Sequence, residues 1–500
     1  MTHLRERGDR TNGEGFSPLC SSVPMSTDFK VVNKILKDVS FYVDATDKTR
    51  IYAEYRKNDD RVHFQSIESA DFESALRIWY RTQAGDDAKP SVKEILTFIR
   101  DDQNYYGEFP EIEPRTRVAG SLAKGLEYYL ADSESNVIEV IAGRWGLTKN
   151  PRYRFLTSSS QLKQVMPKQT DQSLIDLLKP LVNLKGDDLT LFAIWLTQAF
   201  SGGAHYGLLL SAERGSAKST LTRLINQIVD PSRATTMQLQ KKLSDFQDVL
   251  ADNYLCCYDN LRSIPVEHSD AMAAATTCST IAKRVLYTTG DISYRKLSNI
   301  FVLNGIGLFP TESDLAERFL YFELKKLPEN QLRSDREIEQ RFADCRSAIL
   351  GAIFDLLAKA TVLVHQPISV KPTRMTNAYK EQVAIAKAMG LSESAFDKII
   401  RTNIAALQKA CADTPLVQAV VEYMNGPAFG RRKLIESSTE FYRKVVANYS
   451  GQRSSLPVSA AAFSKRLKAE HDGLSAAGFS SIVDDTGTAS SMITIIREKK

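Results

Sequence analysis

Tyr206-Gly-Leu-Leu-Leu-Ser-Ala-Glu-Arg-Gly-Ser-Ala-Lys-Ser-Thr220 decides how the middle of this chain of 500 residues folds. Its first five residues are a continuous run of strand length. After Thr220, Leu221, Leu224, Ile225 and Ile228 follow helical periodicity up to Asp230-Pro231. Strand, loop and helix in this order let consecutive backbone N–H groups and a helix N-terminus form an anion nest. The candidate phosphate loop is Glu213, Arg214, Gly215, Ser216, Ala217, Lys218, Ser219 and Thr220. Lys218 is placed to reach the β and γ phosphates of ATP, and Ser219 to offer its hydroxyl to Mg²⁺. In the pattern GxxxxGK[ST] the fixed glycines fall on Ala212 and Ala217, whereas the glycine present is Gly215. Alanine tolerates much of this backbone, and Gly215 is expected at the tightest turn.

Outward from the loop, residues 205–325 alternate buried strands with helices, which predicts an α/β domain with a largely parallel sheet. Asp259 follows Lys218 by 41 residues, at the end of the apolar run Tyr254-Leu-Cys-Cys-Tyr258. A carboxylate there holds the water shell of Mg²⁺, the Walker B role. The next residue is Asn260, where a water-orienting glutamate is common in ATPases. Either Asn260 positions water or a base comes from elsewhere, Asp270 being a weak candidate. Asn304 lies 45 residues after Asp259, at the end of Asn299-Ile-Phe-Val-Leu303. An Asn before Gly is often a turn, but with Lys218, Asp259 and Asn304 closing successive strands it is expected to sense the γ-phosphate. Arg318 precedes the strand 319–324 and is a candidate arginine finger, projecting into a neighbouring subunit's ATP site.

Arg284-Val-Leu-Tyr-Thr-Thr289 and Ile292-Ser-Tyr-Arg-Lys296 flank Gly290-Asp291 and predict a β-hairpin with a two-residue turn. Lys283, Arg284, Arg295 and Lys296 interleave with Tyr287 and Tyr294, a pattern suited to phosphate contact and base stacking on single-stranded DNA.

The chain is 43% hydrophobic and 25% charged, average for soluble globular proteins, which excludes a disordered, collagenous or coiled-coil protein. No apolar run approaches the roughly 20 residues of a membrane span. The six cysteines show no CxxC spacing and the six histidines are scattered, so a reduced, cytoplasmic protein without a zinc site is expected. From Lys371 onward 19 Lys and Arg face 12 Asp and Glu, a surplus of +7 in a chain whose total is +5. A basic tail domain is compatible with nucleic acid.

The expected divisions are a disordered leader over 1–28, with Met25 an alternative start, an N-terminal α+β region over 29–110 and a small β module over 111–168. A helical collar over 173–204 follows, broken at Pro180 and Gly186, then the ATPase domain over 205–370 and a helical and winged-helix domain over 376–500. Helices are predicted over 69–80, 91–106 and 347–364, and strands over 126–130, 137–141, 152–156, 481–483 and 492–497.

Ala212-Glu-Arg-Gly-Ser-Ala-Lys-Ser-Thr220, Tyr258-Asp-Asn-Leu261, the hairpin with Leu286-Tyr-Thr288, Leu303-Asn-Gly-Ile306 and Arg318 resemble the ATPase core of superfamily 3 / AAA+ helicases. Within these the chain looks most similar to ATP-binding replication proteins of phages, plasmids and integrated mobile elements, relatives of the poxvirus-type primase–helicases. The resemblance covers about residues 190–365. Less specific likenesses flank it: Arg117-Val-Ala119 and Gly143-Arg-Trp-Gly146 to the β module before such ATPases, and 456–497 to their terminal winged helix. There Lys465, Arg466 and Lys468 fall on the recognition helix, and 487–495 on the wing.

The resemblance implies a multidomain α/β protein with a central P-loop AAA+ ATPase, an N-terminal α+β region and a C-terminal helical/winged-helix domain. It further implies ATP-driven translocation of a homo-hexameric ring along single-stranded DNA, duplex DNA at the C-terminal domain, and element-encoded replication proteins as partners. Asn260 looks shared with the mobile-element group and is not taken as the mark of an inactive site. Residues 29–165 hold no acidic cluster of the kind a primase needs, so the resemblance does not extend to the primase domain that many relatives carry. Two other function classes stay open. One is an origin-binding initiator whose ATPase drives assembly while a recruited helicase unwinds. The other is a protein-remodelling AAA+ ATPase, against which the basic hairpin counts.

Overall fold

The computed structural model describes residues 27–57, 61–212, 215–261, 263–284, 292–305, 313–328, 333–412, 414–453, 456–484 and 491–498. They form two compact units, residues 27–40 with 66–109, and residues 41–65 with 110–498. The leader expected over 1–28 lies almost wholly outside the described residues.

The smaller unit is helical. Helices α1 (Phe29–Ile35), α2 (Ala70–Ala84) and α3 (Val92–Tyr106) are capped by the side chains of Asp28, Ser69 and Ser91, each accepting a backbone N–H of the first turn. Val32, Phe72, Leu76, Tyr80, Ile95 and Ile99 fill its interior.

The larger unit begins with β1 (Ser40–Asp44), β2 (Ile51–Arg56), β3 (Val62–Ser66) and β4 (Glu111–Ile112), a sheet of order β3-β2-β1-β4 in which β1 and β4 run parallel. An antiparallel meander follows, β5 (Val118–Ser121), β6 (Gly125–Tyr129), β7 (Val137–Ile141) and β8 (Arg144–Thr148). Of the strand expected over 152–156 only an isolated parallel bridge from Phe155 to Arg115 is present, and β8 closes the meander instead. The backbone N–H groups of Arg152 and Tyr153 donate to the buried Glu127 carboxylate, at 2.8 and 3.2 Å, so they are not available to a neighbouring strand. Helices α4 (Leu174–Leu178) and α5 (Gly186–Gln198) form the broken helical segment.

Next come β9 (Gly207–Ala212), α6 (Lys218–Val229), α7 (Leu243–Asp252), β10 (Leu255–Leu261) and α8 (Val266–Thr276). After them lie β11 (Thr280–Arg284), β12 (Ile292–Lys296), β13 (Ile300–Gly305), α9 (Ser313–Ala316) and β14 (Phe319–Leu324). The expected parallel sheet is present, in the order β10-β13-β9-β14. Both faces are buried, as its near-continuous apolar strands require. Leu208 and Leu210 point into a core shared with the meander, α5 and α6, whereas Leu209, Cys256, Tyr258, Phe301 and Leu303 point into a second core under α7 and α8.

Helix α10 (Asp335–Leu363) starts well before the expected residue 347, because Ser334 and Glu337 make a reciprocal capping box. Helices α11 (Thr376–Ala388) and α12 (Glu393–Ala412) bury Tyr379, Val383, Phe396 and Ile400 in the same core as β9. The chain beyond 413 has a core of its own, built by α13 (Pro415–Asn425), β15 (Lys433–Ser437), α14 (Ser438–Asn448), α15 (Ala460–Ala469), α16 (His471–Ala476), β16 (Phe479–Asp484) and β17 (Met492–Arg497). Its sheet is antiparallel with β17 central.

His205, just before β9, is buried and its Nε2 donates to the Gln198 carbonyl at 3.2 Å. Burial holds its pKa down at about 4, against an ordinary 6.5. The folded chain therefore keeps this ring neutral, whereas the unfolded chain protonates it below 6.5. Stability is fully present above pH 6.5 and is lost as pH falls toward 4, by up to about 3 kcal/mol. Comparing wild type with His205→Gln by denaturant unfolding at pH 7 and pH 4.5 checks this, the variant showing the smaller decline.

Candidate active site

The candidate phosphate loop is the connection from β9 to α6. Of its residues, Glu213 and Arg214 lie outside the described residues. Gly215 has φ +80°, as expected for the tight turn, and Ala217, the N-cap of α6, has φ +62°. The left-handed conformation at Ala217 explains why glycine is usual at this position: alanine there costs about 1 kcal/mol. Ser216 is buried and Ser219 is exposed on the first turn of α6.

Lys218 opens α6. Burial lowers its ammonium pKa, and the nearby Asp259 carboxylate works in the opposite direction. Asp259 is half-buried near the carboxyl end of β10. Asn260 is exposed, with φ +58°. Its backbone N–H donates to the buried Asn304 Oδ1 at 2.9 Å, and Asn304 Nδ2 donates to Thr222 Oγ1 at 3.1 Å. Asn304 thus ties β13 to the strand of Asp259 on one side and to the helix of Lys218 on the other. Carboxyl ends of parallel strands are where open α/β sheets bind ligands.

Thr222 was not singled out by sequence reasoning. The signal is a hydroxyl one turn after Lys218, amid the buried Leu221, Leu224 and Ile225. Asp270 lies on the exposed side of α8.

The other end of α6 is held from outside the helix. Its last carbonyls have no intrahelical donors, and three elements supply them. Arg346 of α10 donates to Gln227 at 2.7 Å, Gln164 to Ile228 at 2.8 Å, and Tyr128 of β6 to Val229 at 3.0 Å. Arg117, fully buried, pairs with Asp230 at 2.8 Å and donates to the carbonyls of Pro231, Leu162 and Tyr129 at 2.9, 3.1 and 3.1 Å.

Arg318 sits at the other edge of the sheet. Its carbonyl accepts the Gly207 N–H at 2.9 Å, level with the start of β9, whereas the phosphate loop leaves the far end of that strand. Six residues of strand separate the two by roughly 17–20 Å. Its guanidinium is turned onto Asp314, with contacts of 3.2 Å, and Asp314 is shared with Arg374, which also pairs with Glu317.

The hairpin is present, but its register differs from expectation. Arg284, not Thr289, stands opposite Ile292, and β11 begins at Thr280. The expected Gly290-Asp291 turn, Tyr287 and the side chains of Lys283 and Arg284 lie outside the described residues. Lys296 pairs with Glu113 at 3.2 Å and Arg295 with Asp248 at 3.7 Å. Asp47, in the β1–β2 turn, accepts from Ser293 Oγ at 2.6 Å and Tyr294 N at 2.9 Å. Asp47 and Glu113, from the N-terminal sheet region, and Asp248 of α7 thus hold the described stem by carboxylates. On α15, Lys465 and Lys468 are exposed, whereas Arg466 turns back to the buried Glu470 at 2.6 Å. Of the expected wing, 487–490 lie outside the described residues, and 491–495 run into β17.

Among the described residues no group of three or more His, Cys, Asp or Glu could hold a metal ion. A P-loop magnesium needs none, since it is held by phosphate oxygens, water and one or two protein oxygens. Ser219 and Asp259 fit that donor set. No helix of the described residues is long and apolar enough to cross a membrane.

No curated protein matches the chain. Among solved structures, the A-form apo structure of the NrS-1 C-terminal region is 12% identical over 94% of this chain and 99% of that chain, with a TM-score of 0.40. A second apo structure of that region is 11% identical over 94% and 98%, also with a TM-score of 0.40. Residues 175–395, from α4 into α12, match the family model of the actinomycete integrative conjugative element replication protein, and are in that stretch similar to it.

Proposed function

We propose that this chain is an ATP-hydrolysing DNA motor in the replication of a mobile genetic element, a helicase of the superfamily 3 / AAA+ kind acting as a homo-hexameric ring on single-stranded DNA. The observation that carries this is the gathering of Lys218, Asp259 and Asn304 at the carboxyl ends of three parallel strands, with Asn304 bonded to both flanking elements. The match of 175–395 to a replication protein family of integrative conjugative elements supports the setting.

The chain's own contribution is positioning and charge. The loop amides and Lys218 bind the phosphates. Asn304, fixed by Thr222 and the Asn260 N–H, presents a polar group beside the γ-phosphate. Ser219 and Asp259 are the residues that would hold Mg²⁺, which when bound supplies neutralisation of phosphate charge. Arg318 lies too far from its own loop to serve it, which suits a part in a neighbouring copy's site once released from Asp314. Lys283, Arg284, Arg295 and Lys296 remain the proposed contacts to single-stranded DNA.

The test is the ATPase rate with and without single-stranded DNA. Turnover is expected to rise at least about tenfold with DNA, the range in which enzyme effectors shift free energies. Hydrolysis indifferent to DNA would sink the motor.

A second reading rests on the separate core beyond 413, whose three-stranded sheet and exposed Lys465 and Lys468 suit a winged helix on duplex DNA. In it the chain is an origin-binding initiator. Sequence-selective duplex binding without strand separation distinguishes it.

A further inference from the structure

The amides of a phosphate loop bind anions only if their peptide planes are turned the right way. In a trans peptide the C=O of one residue and the N–H of the next point in opposite directions. A donor that holds a loop carbonyl outward therefore aims the following N–H inward.

Two such donors act on the described part of this loop. Asn183, between α4 and α5, uses its side-chain amide twice, donating to the Ser216 carbonyl at 3.2 Å and to the Lys325 carbonyl, just past β14, at 2.7 Å. Leu327, two residues further on, brings its N–H toward the Gly215 carbonyl at 3.5 Å. Both contacts are outside the loop, on successive peptides. They leave the Ser216 and Ala217 N–H groups directed the other way, between Gly215 and Ala217, the two residues with left-handed φ. Alternation of this kind is the geometry of an anion nest. Because Ala217 replaces the usual glycine, this backbone is less free to find the conformation unaided.

We propose that Asn183 is a positioning residue for phosphate binding, fixing the Ser216–Ala217 peptide so that the Ala217 N–H faces the bound phosphate. The inference rests on the nucleotide-binding reading above and adds a residue that the loop motif does not contain. Both amide hydrogens of Asn183 are in use on two carbonyls, so an aspartate of the same shape supplies no donor and sets a negative charge beside Ser216 O.

The experiment measures equilibrium binding of MgATP, MgADP and inorganic pyrophosphate to the full chain carrying Asn183→Ala, Asn183→Asp or Asn183→Gln, with melting temperature as a fold control. Asn183→Ala is expected to weaken all three ligands about tenfold, the loss of one orienting hydrogen bond. Asn183→Asp should weaken them further, and Asn183→Gln, which keeps the donors, should recover part of the loss. KM for ATP rises in step while kcat stays within about twofold, because Lys218 and Asp259 are untouched. Equal affinities in wild type, Asn183→Ala and Asn183→Asp overturn the proposal while leaving nucleotide binding intact. So does a loss confined to kcat. Wild-type protein that binds neither ATP nor pyrophosphate overturns both this proposal and the reading on which it rests.

Discussion

Lys218→Ala is expected to abolish ATP hydrolysis, by at least about a hundredfold and equally with or without single-stranded DNA. Removing a single preorganised donor aimed at charge that develops in a transition state costs roughly 10²–10³ in kcat. Here the loss is compounded. Lys218 also stands near the Asp259 carboxylate, so its removal leaves the site less positive where the phosphates would sit. Lys218→Arg should recover less than about a tenth of the rate, since a guanidinium fork does not replace a compact ammonium at the first turn of a helix. The side chain is only half-buried at the loop edge, so the variants should fold, and circular dichroism against wild type verifies it. Turnover by Lys218→Ala at the wild-type rate would remove the phosphate loop from the mechanism.

The loop's setting was legible because two local signals agree there. An apolar run long enough for a buried strand is followed at once by helical periodicity, and the apolar positions of both are buried. The same local signals misled where a side chain replaced a strand partner. Residues 152–156 are aromatic and apolar enough for a strand, yet Glu127, 25 residues away, takes the Arg152 N–H. The true last strand, Arg144–Thr148, is an edge with exposed positions at Arg144 and Leu147, so its alternation is weak. Helix α10 shows the opposite case. Its capping box, Ser334 to Glu337, was present in the sequence, but the polar first half of the helix hid it.

Charge was the least legible quantity. Arg295 and Lys296 read as free cations, but Asp248 and Glu113 stand against them, the second 183 residues distant in sequence. Arg318 and Arg466 are likewise turned inward, onto Asp314 and Glu470. A lysine or arginine count says where cations are, whereas pairing depends on contacts between distant segments.

Arg117 carries the largest expected effect on stability. Its guanidinium is fully buried, paired with Asp230, and it also satisfies carbonyls of Tyr129, Leu162 and Pro231. Arg117→Met removes one partner of a buried pair and leaves Asp230, itself nearly inaccessible, without its counter-ion. Such changes cost about 3–5 kcal/mol. The damage should be local at first, because Arg117 links the meander to the C-terminal end of α6. Amide hydrogen exchange read over 118–129 and 224–231 is therefore the suitable measurement, with protection falling about a hundredfold or more. Pairing the change with Asp230→Leu removes the stranded charge but leaves three carbonyls without their donor. The double variant should regain part of the stability and remain below wild type. Full recovery would assign the whole effect to charge. Protection unchanged in Arg117→Met would mean that Gln164, Tyr128 and Arg346 hold the end of the helix without it.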